Sequence, residues 1–161
     1  WKNIITSFQN HSFIFTVSPV RHYKDGIIEN NRSKASLILA IDELVKLFPN
    51  QVSYFPSYEI VMDELRDYRF YNADMIHPSK ESVDYIWSKF QETHMSKSTI
   101  DTIVECEKIR QSLNHKPFSS DTKDYQLFLH NLKEKISLIF NKTPHYDWSN
   151  ELEKIDKELL V

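Results

Sequence analysis

The chain has 161 residues, 40% of them hydrophobic and 27% charged, with a net charge of −3. This is the composition of a globular chain with one sizeable core, and a 13% aromatic share excludes disorder because aromatics supply buried area that offsets chain entropy. Acidic and basic residues alternate, so nucleic acid is not an expected partner, and no apolar run approaches the roughly 18 residues of a membrane span. The single glycine, Gly26, rules out a phosphate-binding loop or dinucleotide fingerprint, and the single cysteine, Cys106, rules out an internal disulfide or a multi-cysteine zinc site. Residue 1 is Trp, so the native N-terminus and any address signal are expected to lie upstream.

Trp1, Ile4, Ile5 and Phe8 fall at helical spacing and read as the last turns of a helix. Ser12-Phe13-Ile14-Phe15-Thr16-Val17 is a short, nearly continuous apolar run, which suits a strand buried on both faces of a parallel sheet. Residues 18 to 31 are polar, hold the glycine and read as a loop leaving that strand. Ser33 is expected to cap the next helix. Its buried face is Leu37, Ile38, Ile41, Leu44, Val45 and Phe48, and Pro49-Asn50 stops it. Residues 52 to 55 form a second strand, so strand, helix and strand make a βαβ unit with a right-handed crossover. Residues 58 to 65 suit a short helix and 67 to 73 an aromatic-rich loop. Ser79 caps a helix with Val83, Ile86, Trp87 and Phe90 on one face.

After about residue 92 the pattern is helical only. One helix spans residues 98 to 113, opened by Ser98 and Asp101 at capping-box spacing. A second spans 122 to 140, with Tyr125, Phe128, Leu129, Leu132, Ile136, Ile139 and Phe140 on its buried face. A third carries Trp148, Leu152, Ile155 and Leu159. Lys116-Pro117 and Thr143-Pro144 mark the breaks. Cys106 lies inside the first of these helices and reads as a buried structural thiol. The expected organisation is an α/β part over residues 1 to 94 and a helical extension over 95 to 161 packed on it.

Asp74-Met75-Ile76-His77-Pro78-Ser79 is the stretch richest in chemistry. Pro78 pushes His77 away from helical geometry, which places the imidazole on the loop before a helix starts. The partial positive charge of a helix start disfavours an added proton and suits a general base. Asp74, three residues earlier, is placed to accept a hydrogen bond from the other ring nitrogen and fix the tautomer. By spacing alone a helix cap plus a surface histidine is the favoured reading of the pair. Arg21 and His22 follow a parallel strand's end, where α/β folds bind ligands, and they either line a site or anchor the loop through a salt bridge. Asn30 and Asn31 suit helix capping better than contact with substrate. Glu59, Asp63, Arg66 and Arg69 read as a structural charge network. Ser57 lacks the turn of a nucleophile elbow. His94, His115, His130 and His145 have no metal-ligand spacing, so no metal is expected.

The surroundings of the pair carry a family resemblance. Thr16-Val17-Ser18-Pro19-Val20-Arg21-His22, Lys24-Asp25-Gly26 and Glu29-Asn30-Asn31-Arg32-Ser33-Lys34-Ala35 resemble the core of the GSCFA family. So do Tyr54-Phe55-Pro56-Ser57-Tyr58-Glu59-Ile60, the stretch from Asp63 to Tyr71, and the Asp74 to Ser79 stretch, all in order. The resemblance is close over residues 1 to 95 and looser over 125 to 136. It implies the C-terminal part of a flavodoxin-like, three-layer α/β fold of the SGNH hydrolase class, followed by a helical extension. It implies ester hydrolysis with Asp74 and His77 as catalytic residues and Ser18 near the substrate; Arg21, His22 and Asn31 are the further candidates for contact with it. The Gly-Ser-Cys-Phe-Ala motif that supplies the family's serine does not occur here, and Ser18 stands where related hydrolases place an oxyanion-hole asparagine. Small acyl esters or acylated carbohydrates are the implied substrates, and the mechanism requires no cofactor. An incomplete sheet would expose apolar surface, so self-association through the sheet or the helical extension is expected. The non-enzymatic alternative is a binding or assembly module that keeps the hydrolase shell.

Overall fold

The computed structural model describes residues 1–114 and 123–159. His115, the Lys116-Pro117 break and the helix start at Thr122 lie outside the described residues. The chain divides into two compact units, Trp1–His94 and Met95–Val161.

The first unit is mixed α/β, mostly helical, with a small parallel sheet. Helix α1 (Lys2–Ser7) is short and buries only Ile5, whereas Trp1, Ile4 and Phe8, which share its spacing, are exposed. Strand β1 (Phe13–Thr16) is narrower than the apolar run that encodes it, and β2 (Val52–Phe55) coincides with the expected strand. The two pair in parallel, Phe13 opposite Val52 and Thr16 opposite Phe55.

The connection between them departs from the expected loop. A 3-10 turn (Tyr23–Asp25) leads directly into α2 (Gly26–Leu47). The helix therefore starts well before Ser33, and Asn30 and Asn31 lie within it instead of capping it. Gly26 permits this entry, because its φ of 83° is a left-handed value that costs glycine little. No side chain caps the start, and the Glu29–Arg32 pair at 2.6 Å, one turn apart, supports it. The inward stripe is Lys34, Ile41 and Leu44, with Ile38, Val45 and Phe48 half-buried beside it. Leu37, expected on that face, is exposed, as are Ile27, Ile28 and Leu39.

After β2 a single turn, α3 (Ser57–Glu59), widens into a π-helical turn (Ile60–Glu64), in which Leu65 N donates to Ile60 O at 3.0 Å. A 3-10 turn follows (Tyr68–Phe70), capped by Asp67, whose Oδ1 accepts from Arg69 N at 3.0 Å. Helix α4 (Lys80–His94) begins after Ser79, whose Oγ accepts from Ser82 N at 3.4 Å. Two small cores result. Phe55, Ile60, Val61, Leu65 and Tyr71 form one, onto which Ile86 and Phe90 of α4 pack, while Val83 and Trp87 stay exposed. Ile5, Leu44 and Val52 form the other.

The second unit is helical: α5 (Lys97–Asn114), α6 (Lys123–Phe140) and α7 (Ser149–Leu159). Ser96 opens α5 by accepting from Thr99 N at 3.2 Å, so Ser98 lies inside the first turn and is not its cap. Ile109, Leu129, Leu132, Ile136, Ile139, Trp148 and Ile155 form one contiguous core. Phe128 and Phe140, placed on the buried face by periodicity, are exposed. Cys106 packs half-buried against the core, and burial pushes its thiol above the usual range, which disfavours the reactive thiolate. Among the described residues no helix is long and apolar enough to cross a membrane.

Candidate functional site

The Asp74–His77 pair sits on a tight turn that the backbone closes. Tyr71 and Pro78 form an antiparallel bridge, and Asn72 N donates to His77 O at 2.8 Å. Met75 N donates to Asn72 O at 2.9 Å, and Met75 itself adopts a φ of 58°, unusual for a residue with a side chain. Asp74 organises the turn from within. Its Oδ1 accepts from Ile76 N at 2.8 Å and from His77 N at 3.0 Å, and its Oδ2 lies 2.7 Å from His77 Nδ1. These contacts, the His77 ring first and then the backbone amides of His77 and Ile76, hold the Asp74 carboxyl at about 2.

The carboxylate thus binds one ring nitrogen and the backbone of the same residue, which sets both the position and the rotation of the imidazole. His77 Nε2 has no hydrogen-bond partner among the described residues. The His77 and Asp74 side chains are 57% and 44% exposed. The group can therefore accept a proton from a reactant approaching through solvent.

The loop after β1 is strapped to this turn. Arg21 N donates to Ile76 O at 3.2 Å, Arg21 Nη1 donates to Met75 O at 3.1 Å, and the guanidinium lies 4.1 Å over the Tyr71 ring. Arg21 is thus an anchor, but through carbonyls and an aromatic face, with no salt bridge among the described residues. Behind it, Lys34 Nζ donates to Ser18 O at 2.6 Å. Lys34 is only 3% exposed, and desolvation lowers its pKa. The sequence reading passed over Lys34. Its signal is a cation standing on the same helical stripe as Ile38 and Ile41.

The remaining candidates separate clearly. Ser18 is exposed, and its Oγ accepts from Val20 N at 3.2 Å. Arg21, His22 and Asn31 line one cleft of about 300 Å³, together with Asn30, Tyr58 and Tyr68. Asn30 Oδ1 accepts from His22 N at 2.9 Å, which fixes that wall. Ser18, Asp74 and His77 are not on the wall of this cleft, and Arg21 connects it to their turn. Ser57 is buried, donates to Val17 O at 2.9 Å and lies 2.6 Å from Thr16 Oγ1, so its hydroxyl braces the strand ends. The charge group resolves into separate contacts: Tyr54 to Glu59 at 2.8 Å, Arg66 to Asp63 at 3.1 Å and Arg69 to Asp67 at 3.4 Å. Among the described residues no group of three or more His, Cys, Asp or Glu could hold a metal ion.

Comparison with known families places this architecture. The family model described as the GSCFA family matches residues 1–90, and the model described as the C-terminal domain of GSCFA domain proteins matches residues 106–161. No curated protein and no solved structure gives a significant match. The two matches follow in chain order and span most of the sequence, so the chain belongs to the GSCFA family.

Proposed function

We propose that the chain carries the acid–base pair of a serine-dependent esterase of the SGNH type, with Trp1–His94 forming part of a flavodoxin-like three-layer domain and Met95–Val161 its helical extension. The observation that carries this reading is the 2.7 Å contact between His77 Nδ1 and Asp74 Oδ2, which leaves Nε2 of this half-exposed side chain without a partner among the described residues. Family membership supports it. In the intact protein His77 Nε2 takes the proton of a serine hydroxyl as that oxygen attacks the ester carbonyl carbon. The resulting imidazolium, stabilised by Asp74, returns the proton to the departing alcohol as its C–O bond breaks. Water then repeats the sequence on the acyl-enzyme and regenerates the serine.

No serine hydroxyl among the described residues bonds His77. The resemblance assigns the attacking serine to the Gly-Ser-Cys-Phe-Ala motif, which does not occur in this sequence, so the chain by itself is expected to hydrolyse p-nitrophenyl acyl esters little or not at all. The test uses the full-length protein and a fluorophosphonate probe. Covalent labelling that is lost on His77→Ala is expected. A folded full-length protein that stays unlabelled contradicts the esterase and favours the binding module.

A further inference from the structure

The arginines of this chain fall into two kinds. Arg32 pairs with Glu29 at 2.6 Å, Arg66 with Asp63 at 3.1 Å, Arg69 with Asp67 at 3.4 Å and Arg110 with Glu151 at 3.7 Å. Arg21 has no carboxylate partner among the described residues. Its guanidinium donates to Met75 O and rests on Tyr71, which leaves Nε and Nη2 without an acceptor. It is also the arginine that lines the cleft described above, and no Asp or Glu stands on that wall. Glu29, the first acidic residue of α2, is already engaged by Arg32.

A guanidinium with a free edge is a fork matched to a carboxylate, and its weak hydration makes such pairing favourable in a partly enclosed site. The rest of the wall indicates what the carboxylate is attached to. Tyr23, Tyr58 and Tyr68 bring flat rings with polar tips to the lining, Tyr58 with Lys34 Nζ 6.0 Å over its ring, and Asn31 and His22 bring side-chain donors and acceptors. Flat C–H faces carrying many hydroxyls are the surface of a sugar ring. We propose that this cleft binds a carboxylate-bearing sugar of the uronic-acid type, its carboxylate on Arg21, its ring against the tyrosines and its hydroxyls toward Asn31. For the sugar's part in catalysis, as the acylated portion of the substrate, this rests on the esterase reading; the binding itself does not.

The test is an NMR titration of the full 161-residue chain with methyl glucuronide, methyl glucoside and inorganic phosphate. Methyl glucuronide is expected to shift the Arg21 Nε–H and Asn31 side-chain signals and to bind on the order of tenfold tighter than methyl glucoside. Asn31→Asp is nearly isosteric, leaves the Arg21 strap in place and puts a carboxylate on the wall. It should weaken glucuronide binding about tenfold more than glucoside binding. Equal binding of the two sugars, phosphate binding as tightly as glucuronide, no binding at all, or indifference to Asn31→Asp each overturns the proposal. The titration reads no hydrolysis, so its failure is distinct from the failure of the esterase. An unlabelled full-length protein whose chain still binds glucuronide removes only the esterase.

Discussion

The two units hold themselves together in different ways. In Met95–Val161 seven side chains form one continuous apolar core, and exposed ion pairs such as Lys142–Glu105 at 2.9 Å each contribute at most about 1 kcal/mol. In Trp1–His94 the apolar core is split into two clusters, and the segments around the candidate site are held by polar straps: Lys34 to Ser18, Arg21 to Met75 and Ile76, Asp74 to His77. Large apolar side chains, among them Ile14, Leu39 and Trp87, remain exposed there. The contrast shows that apolar burial specifies the helical unit, whereas directional bonds to carbonyls and amides specify the site. The second kind of bonding fixes geometry to a few tenths of an ångström while adding little to global stability.

That contrast can be broken by substitution. The largest effect is expected at the site: His77→Ala should slow ester hydrolysis by the full-length protein about 10² to 10⁴-fold while leaving the melting temperature nearly unchanged, as steady-state rates and calorimetry will show. A hydrolysis rate indifferent to this change would deny His77 its role. Next is the apolar core. Ile136 is 1% exposed, and Ile136→Ala should destabilise the helical unit by about 2 to 5 kcal/mol in urea titration. The His77 ring signals should not move, because every strap on that turn comes from Trp1–His94. A shift of those signals would show that the two kinds of bonding are not independent.

The acid range sharpens the comparison further. Asp74 stays ionised in the fold down to about 2, whereas an unfolded aspartate titrates near ~3.9. The sign follows from that depression: the contribution of this carboxylate is full above roughly pH 4 and is lost as pH falls toward about 2. Carboxyl ¹³C shifts should show the low midpoint, and an ordinary aspartate midpoint would remove the pairing with His77. The smallest effect belongs to the exposed apolar surface. Leu39→Gln, at a side chain 66% exposed, should change stability by less than about 0.5 kcal/mol while reducing self-association in analytical ultracentrifugation.

Both strands were legible in the sequence because short apolar runs bounded by proline have few other uses. The start of α2 was not. Its cap involves no side chain, and Glu29-Asn30-Asn31-Arg32 looks like a loop until the Glu29–Arg32 pair is seen across one turn. The start of α5 was displaced because Ser96 and Ser98 carry equal capping chemistry and only the backbone selects between them. At the site, spacing and Pro78 made Asp74 and His77 candidates, the resemblance of the neighbouring motifs selected them, and the structure adds what spacing cannot encode. The left-handed Met75 and the carbonyls that receive Arg21 are products of the folded turn, and Lys34 at a core position is meaningful only once Ser18 O is seen above it.

The claim that Asp74 holds His77 as a base is tested most directly by ¹⁵N NMR of the His77 ring at alkaline pH. The expected result is a single tautomer with the proton on Nδ1, hydrogen-bonded to Asp74, and a bare Nε2, with the preference lost in Asp74→Ala. A proton on Nε2, or a tautomer mixture unchanged by removing Asp74, would contradict it.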